Sequence, residues 1–309
     1  MELRVLRYFL AIAREGSISG AANYLHVTQP TLSRQIKDLE DELGQKLLVR
    51  GSHCVTLTAE GMLLRRRAEE IVSMTDKTEE EFRAMKGSLS GDIYIGGGET
   101  DAMNLIAAVC REIQLEYPDI RYHLYSGNAQ DVTERLDKGL LDFGLLIQPT
   151  DITRYDYLSL PAKDSWGVIV RWDSPLAKKP YAEVQDLVGP PLIFSRQALE
   201  ERAEANELAE WFGPAWRELN IAATFNLCYN AAVMAKQGVG YVISLDKLVD
   251  TSADSPLCFV PFRPRLESGL DLVWKKYQVF SAAAELFLNR LRARFSSDNG
   301  VSTVRGMSG

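Results

Sequence analysis

The sequence predicts an N-terminal all-α winged helix-turn-helix domain, a linker helix, and an α/β body of two Rossmann-like lobes. Three observations predict this fold class. Residues 1–58 hold three short amphipathic helix patterns followed by two short strand patterns. Residues 59–90 hold one proline-free helical pattern with heptad spacing and then a Gly- and Ser-containing hinge. From residue 91, strand patterns alternate with helical ones, which is typical of α/β packing.

Length and composition indicate a globular protein. The chain has 309 residues, of which 46% are hydrophobic and 25% charged, so it is long enough for two or three domains. No apolar run approaches the roughly 20 residues of a membrane-spanning helix. Charged residues interrupt the apolar ones in the opening stretch, MELRVLRYFLAIAREG, so it differs from a signal peptide. We therefore expect a cytoplasmic protein with no membrane partner.

The charge is unevenly distributed along the chain, although its net value of −7 is unusual for a protein that contacts nucleic acid. Residues 1–67 contain ten basic and seven acidic residues, a net of +3. The remaining residues contain 25 basic and 35 acidic residues, a net of −10. A mildly basic N-terminal region on an acidic chain is compatible with local contact to phosphates.

The residues that carry catalysis or bind metals form no recognisable motif. The cysteines and histidines are scattered, without paired spacing: Cys54, Cys110, Cys228 and Cys258; His26, His53 and His123. HExxH, GxSxG and P-loop patterns are absent from the sequence. We therefore expect no catalytic residues, no metal site, no disulfide framework and no cofactor, and thus a protein that is not an enzyme.

The first two helices are predicted by spacing and by their caps. Apolar residues repeat at helical intervals over Glu2–Arg14, and Gly16 is placed to end that helix. Ser17 is a suitable N-cap for a second helix over Ile18–Leu25. That second helix contains Ala21 and Ala22, whose small side chains allow close helix packing.

A third helix, over Pro30–Leu43, carries the candidate DNA contacts. Thr28 is a suitable cap, and the proline lies in the first turn, where it is tolerated. The predicted buried stripe contains Leu32, Ile36, Leu39 and Leu43. The opposite face presents polar and basic side chains near the helix N-terminus, the part that a helix-turn-helix inserts into the major groove: Gln29, Thr31, Ser33, Arg34 and Lys37. The alternative is that each of these side chains is only exposed to solvent and contacts no DNA.

Two short strands, Lys46–Val49 and Val55–Leu57, are predicted to flank residues 51–54 as a hairpin wing. With the three helices, this completes the order of elements in a winged helix-turn-helix.

The N-terminal region resembles the LysR-type transcriptional regulators. The resemblance lies in two stretches, FLAIAREGSISGAANYLHVTQPTLSRQIKDLEDELGQKLLVR and VTLTAEG. It implies that Gln29, Pro30, Thr31, Ser33 and Arg34 face bases and phosphates, and that Arg50 anchors the wing to the DNA backbone. In two places the sequence departs from the family pattern. Leu48 replaces the usual Phe, and His53 stands in the wing where a permanent cation is common.

A long helix is predicted from about Thr58 to Lys86. Mostly apolar residues recur at alternating spacings of four and three: Leu64, Ala68, Ile71, Thr75, Thr78, Phe82 and Met85. This period indicates a seam for a second copy of the chain, and packing on its own domain is the alternative. Because one recognition helix gives little specificity, we expect a homodimer or homotetramer on a dyad-symmetric operator in double-stranded DNA.

The body is predicted as two lobes, one from 91–161 with 266–295 and the other from 162–265, followed by a disordered tail over 296–309. Crossovers near Leu160–Lys163 and Phe262–Leu266 are expected to join the lobes around a cleft. The family resemblance implies that this body has a periplasmic-binding-protein-like form and senses a small-molecule effector. It further suggests RNA polymerase as a partner.

Candidate effector-binding residues lie where predicted strands end and helices begin, because ligands of open α/β sheets bind there. They occupy four such corners of the body: Gly98, Thr100 and Asp101; Asn128; Ser195 and Arg196; and Asn230. The resemblance places the effector at these corners, but several of these side chains are equally suited to capping helices. Arg196 favours a carboxylate ligand, whereas Glu99 and Asp101 disfavour one, so the sequence leaves the charge of the effector open.

Overall fold

The computed structural model describes residues 1–50, 55–84, 89–200 and 206–295. The chain divides into two compact units, Met1–Lys86 and Gly87–Gly309. The predicted tail over 296–309 lies outside the described residues, as do the first two residues of the predicted hinge over 87–91.

The first unit begins with three helices, α1 (Leu3–Glu15), α2 (Ile18–Tyr24) and α3 (Gln29–Leu43). Their shared core contains fully buried side chains from α1 and α3, among them Phe9, Ile12, Leu32 and Ile36. Ala21 and Ala22 are buried in the same core, as their small size predicts. The three helices are therefore confirmed within one or two residues of their predicted ends.

Local signals set the boundaries between these helices. Gly16 ends α1 with φ +60°, a left-handed conformation that favours glycine. Ser17 then caps α2, and its hydroxyl accepts a hydrogen bond from the Gly20 amide at 3.2 Å. Gly44 ends α3 in the same way as Gly16, with φ +64°.

The end of α3 differs from the predicted buried stripe. Leu43 is exposed, and Glu40 is buried in its place. The Glu40 carboxylate accepts hydrogen bonds from Lys46 and from the amides of Leu47 and Leu48, at 2.8–3.2 Å. Burial alone would raise the pKa of Glu40, but these hydrogen bonds outweigh it and hold the pKa below its usual value. The hydrogen bonds of Glu40 therefore join the end of α3 to the start of the wing.

The wing has two antiparallel strands, β1 (Leu48–Arg50) and β2 (Val55–Leu57), in which Leu48 pairs with Leu57. The first strand begins two residues later than predicted. Leu48 is buried in the core that the three helices share, so it fills the position where the family usually has Phe.

The long helix, α4 (Ala59–Ala84), packs on the domain that precedes it. Its start lies so close to the wing that a Cβ on Gly61 would stand 2.1 Å from the Leu47 carbonyl oxygen. Leu64 packs against the core that the three helices share, and Ala68 is fully buried. The predicted seam is therefore wrong at these two positions, because packing within the first unit covers them.

The second unit contains one continuous sheet, and its first lobe is built around strands β3 (Gly91–Gly97), β4 (Ile120–Ser126) and β5 (Phe143–Ile147). Helices α5 (Met103–Glu116) and α6 (Ala129–Asp137) connect these parallel strands.

The end of the chain returns to this first lobe, as predicted. Strand β11 (Glu267–Lys275) pairs antiparallel with β5, and helix α11 (Ala282–Phe295) follows it. Phe287 of α11 packs in the lobe core beside Phe143 of β5.

The second lobe begins on β6 (Tyr155–Arg171) and contains β7 (Leu192–Ser195), β8 (Ile221–Phe225), β9 (Tyr241–Leu245) and β10 (Leu257–Pro261). Its helices are short, and the first and third of them were not predicted from the sequence. In order they are α7 (Val184–Leu187), α8 (Arg196–Glu200), α9 (Glu207–Phe212) and α10 (Cys228–Lys236).

Strand β6 joins the two lobes without a break. Its residues up to Ser165 pair with β11, whereas Trp166 onward pairs with β9 and β10. The first crossover therefore lies at Ser165–Trp166 inside a long strand, instead of at Leu160–Lys163. The second crossover lies between the end of β10 and the start of β11, as predicted.

Candidate DNA interface and effector cleft

Helix α3 presents its predicted polar face to solvent. The side chains of Gln29, Pro30, Thr31, Arg34 and Lys37 are exposed. Ser33 is partly buried, at the edge of that face. These six residues, which we call the recognition face, therefore lie on the side of α3 opposite its buried stripe.

The N-terminus of α3 is held in place by its cap. The Thr28 hydroxyl accepts a hydrogen bond from the Thr31 amide at 3.4 Å and lies 2.8 Å from the Thr31 hydroxyl. Pro30 occupies the first turn, where its missing N–H costs no hydrogen bond. The remaining unpaired amides of the first turn favour an anion such as a phosphate.

Asp38 is a residue of this region that the sequence analysis missed. It lies one turn after Arg34 and forms an exposed ion pair with it, at 3.9 Å. Because the pair is exposed, it contributes little to stability. A carboxylate there repels phosphates, so Asp38 weakens the positive charge of the recognition face.

Two predicted DNA contacts are not tested by the structure. His53 lies outside the described residues, and only the backbone of Arg50 is described.

A cavity of about 110 Å³ opens in the body where the two lobes meet. It is lined by both lobes and by both crossovers. Its polar and charged lining residues are Asn128, Gln148, Trp166, Ser195, Gln197, Asn206, Glu207 and Ser268. Its other lining residues are Gly98, Ala129, Leu145, Leu146, Ile147, Pro149, Ala198 and Leu208.

Three of the predicted effector residues, Gly98, Asn128 and Ser195, line this cavity. Asn128 also caps α6, accepting a hydrogen bond from the Asp131 amide at 2.8 Å. The Asn128 side chain therefore both caps α6 and lines the cavity.

Arg196 and Asn230 do not line the cavity. Arg196 is exposed, because it begins helix α8 and points away from the end of β7. Asn230 is exposed within the first turns of α10 and does not cap that helix. Neither residue therefore lines this cavity, and the functions predicted for Arg196 and Asn230 stay predictions.

Glu99 and Asp101 bridge the lobes outside the cavity, and Thr100 between them contacts the end of the first-lobe part of β6. The Thr100 hydroxyl donates to Asp164 at 2.5 Å, and Asp101 forms an ion pair with Lys247 at 3.0 Å. The preceding residue, Glu99, accepts a hydrogen bond from the Cys228 amide at the start of α10. We call these three consecutive residues, Glu99–Asp101, the clasp.

The contact of Thr100 with Asp164 is buried, since both residues are at most 8% exposed. Burial raises the pKa of Asp164 above its ordinary value, although the hydrogen bond from Thr100 acts in the opposite direction. Thr100 of the clasp therefore supplies a hydrogen-bond donor to the buried carboxylate of Asp164.

The cavity residues that the sequence analysis missed come from distant segments. Trp166 and Ser268 lie at the two crossovers and are joined by a hydrogen bond of 2.9 Å between Trp166 Nε1 and Ser268 Oγ. Gln197 and Glu207 come from the short helices α8 and α9. Only the position of Gln197, three residues after the strand predicted over Leu192–Phe194, gave any signal in the sequence.

Within the described parts of the chain, no group of three or more potential ligands is arranged to hold a metal ion. Among the same residues, no helix is both long and apolar enough to cross a membrane.

Two family models together match most of the chain. Residues 3–62 match the bacterial regulatory helix-turn-helix protein, lysR family, and residues 86–296 match the LysR substrate binding domain.

Relatives cover the whole chain at low identity. YvbU, an HTH-type transcriptional regulator of Bacillus subtilis, is 27% identical over 96% of this chain and 100% of its own length. The HTH-type transcriptional activator CmpR of Synechocystis is 28% identical over 98% of each chain.

The fold is also similar to a solved structure, that of full-length CbnR in complex with its target DNA. The TM-score is 0.72 at 21% identity, over 95% of this chain and 99% of the other. With the two family models and the full-length relatives, this similarity identifies the chain as a member of the LysR family, a DNA-binding transcriptional regulator with an effector-binding domain.

Proposed function

We propose that this regulator reads its operator through the recognition face of α3. The observation that carries the proposal is the exposed polar and basic face at the capped N-terminus of that helix. Arg34 and Gln29 have the donor geometry for base edges, and Lys37 suits phosphate contact. Arg50 and His53 of the wing are proposed to contact the DNA backbone.

We further propose that two copies of the chain bind a dyad-symmetric operator, as a homodimer or as half of a homotetramer. Exposed apolar side chains of α4 support this, because Leu63 and Ile71 are 54% and 40% exposed. Met74 lies one turn after Ile71 and is partly buried. Covering these apolar side chains with the same helix of a second copy removes them from water. Of the predicted seam, Ile71 is therefore exposed to a second copy, whereas Leu64 and Ala68 pack within the first unit.

The inter-lobe cavity is the proposed effector site. It combines an apolar floor with a few convergent polar groups, which is typical of small-molecule sites. An effector that binds one arrangement of the lobes more tightly than another shifts the population of that arrangement. In this proposal the effector is bound without turnover, so the protein is a regulator and not an enzyme.

RNA polymerase is the remaining proposed partner. CmpR is named a transcriptional activator, and activation requires contact with the transcription machinery or a change in its access to DNA. The proposed site of action is the cytoplasm, where both DNA and polymerase are present.

Footprinting of the protein's own upstream region across a salt series tests DNA reading. We expect protection of a dyad-symmetric site, with an affinity that falls steeply as salt rises, because phosphate contacts release counterions. If no site is protected there or in a genome-wide site selection at low salt, the proposed function of α3 is wrong.

A further inference from the structure

Building on the proposed effector site, we infer that the effector is a small organic cation, such as a primary amine, and not a carboxylate. The inference concerns the charge of the ligand, which the sequence left open. It stands on the charge of the cavity lining, on the hydrogen bonds that its donors already make, and on the helix N-termini around the cleft.

The cavity lining carries a single charged side chain among the described residues, the carboxylate of Glu207. No lysine, arginine or histidine of the described chain lines the cavity. A buried carboxylate ligand needs a cationic or donor-rich partner, because its desolvation is otherwise uncompensated. An anion entering this cavity finds no such cation and is repelled by Glu207.

Two hydrogen-bond donors of the cavity lining, the Ala129 amide and Trp166 Nε1, are already in use. The Ala129 amide donates to Gln197 Oε1 at 3.2 Å. Trp166 Nε1 donates to Ser268 Oγ at 2.9 Å, as described above. An anionic ligand that took a hydrogen bond from either of these two donors would leave a protein acceptor unpaired.

Glu207 is held at the cavity wall by a short chain of hydrogen bonds. Ser268, which is 2% exposed, accepts from Trp166 and donates its hydroxyl to Glu207 Oε2 at 3.1 Å. Trp166 comes from the first crossover and Ser268 from the second, so the carboxylate is fixed by the part of the body that joins the lobes. Since no cation among the described residues pairs with Glu207, its remaining lone pairs are available to a donor.

Two helix N-termini near the cleft, those of α10 and α6, are occupied by carboxylates of the protein itself. Glu99 of the clasp accepts from the Cys228 amide at the start of α10. Asp131 accepts from the Asn128 amide at the start of α6, at 3.3 Å. These are the positions where an anionic ligand is ordinarily stabilised, and both are filled from within the chain.

A ligand that donates to Glu207 also meets the ring of Trp166 and the apolar floor of the cavity. An aromatic ring attracts a cation, and the floor residues, Leu145, Leu146 and Leu208, suit a short hydrocarbon part. The volume of about 110 Å³ restricts the ligand to the size of a small metabolite.

Thermal unfolding and calorimetry of the full chain with matched compounds test this inference. The probes are primary amines, amides and carboxylates on the same short straight, branched and aromatic skeletons. We expect amines to raise the unfolding temperature and carboxylates to leave it unchanged. Glu207→Gln should weaken amine binding about tenfold or more, because a hydrogen bond to a charged group is lost while the contact with Ser268 is kept. Glu207→Lys should reverse the preference toward carboxylates.

Glu210→Gln is the matched control, since Glu210 lies on the same helix, is exposed and does not line the cavity. It should bind amines as the wild type does. Carboxylates that bind the wild-type cavity, with affinity unchanged or improved in Glu207→Gln, would overturn the inference and leave the effector proposal intact. If no compound of the three classes binds, the effector proposal itself fails, and the inference fails with it.

Discussion

The recognition face and the effector cavity are built in opposite ways. The recognition face comes from nine consecutive residues, Gln29–Lys37, on one helix whose caps lie beside it in the sequence. The cavity draws its lining from segments as far apart as Gly98 and Ser268, which the lobe crossovers bring together. A local hydrogen bond fixes the first site, whereas long-range strand pairing fixes the second.

This difference predicts how the two sites respond to substitution. A side chain on α3 is an independent contact, so its removal should change DNA binding without affecting ligand binding or folding. A side chain at the cleft is joined to others across the lobes, so its removal should change stability as well as binding. The predictions below test this contrast in order of decreasing effect.

The largest effect is expected from Arg34→Ala. Loss of a bidentate contact to a base should weaken specific DNA binding about 10- to 100-fold. The unfolding temperature should not change, because the Arg34 side chain is 83% exposed and its ion pair with Asp38 is weak. Competition binding with specific and random DNA measures the change.

Two further variants control for charge. Arg111→Ala removes the same charge from an exposed position on α5 and should leave specific binding unchanged. Asp38→Asn should tighten binding to both specific and random DNA by a few-fold, because a phosphate-repelling charge is removed. If Arg34→Ala and Arg111→Ala bind the operator equally well, α3 is not the reading element.

A second test concerns the proposed dimer surface of α4. This surface comes from one helix, but its proposed partner is a second copy of the chain. Ile71→Glu should shift the chain toward monomers at least tenfold in dissociation constant, because the interface then buries an unpaired charge. Sedimentation over a concentration series measures it. Ser73→Glu, which adds the same charge at an exposed neighbouring position, should not change self-association. Equal sedimentation of the two variants would contradict the proposed face.

The clasp should show the collective behaviour expected of the cleft. Thr100→Val leaves the buried Asp164 carboxylate without its donor and should lower the free energy of unfolding by about 1–3 kcal/mol near neutral pH. Urea unfolding measures the loss. Thr133→Val is the control, because Thr133 donates only to carbonyls of its own helix.

The loss in Thr100→Val should depend on pH. Burial raises the pKa of Asp164 in the folded state, so its ionisation reduces stability as pH rises above the ordinary value of 3.8. Removing the Thr100 donor raises this pKa further. The stability difference from the wild type should therefore be small at about pH 4 and grow toward about pH 7. A difference that is constant across this range would show that Asp164 does not carry the effect.

The smallest effect is expected at two cysteines of the body, Cys110 and Cys228. Burial raises the pKa of Cys110 to about 12 and that of Cys228 to about 11, so little reactive thiolate forms near neutral pH. In a Cys54→Ser background, we expect slow alkylation of the native chain and DNA affinity unchanged by hydrogen peroxide. Rapid peroxide-dependent loss of DNA binding in this background would contradict it.

The sequence predicted the helices of the N-terminal winged helix-turn-helix domain well, because the capping residues that set their ends act locally. Gly16, Ser17, Thr28 and Gly44 each act on the adjacent turn, and the structure confirms each cap. Glu40 is the exception in this region. Its burial depends on donors that reach it from the wing, and helical periodicity contains no information about them.

The body was predicted as strands and helices, but its cavity was not. Ser195 was found because strand ends are visible in the pattern, whereas Glu207 and Ser268 meet only after the chain has crossed twice between lobes. Arg196 was chosen for its charge, yet the turn from β7 into α8 directs it to solvent. Side-chain direction at such a turn depends on backbone geometry that one sequence does not display.

Footprinting with and without a bound amine tests the central claim, that a ligand in the cleft changes how the recognition face is used on DNA. We predict that the amine with the largest thermal shift changes the extent of the wild-type footprint and leaves that of Glu207→Gln unchanged. The half-site contacts that depend on Arg34 should persist in both. An identical wild-type footprint with and without saturating ligand would contradict the account, because a bound effector would then leave DNA recognition unaffected.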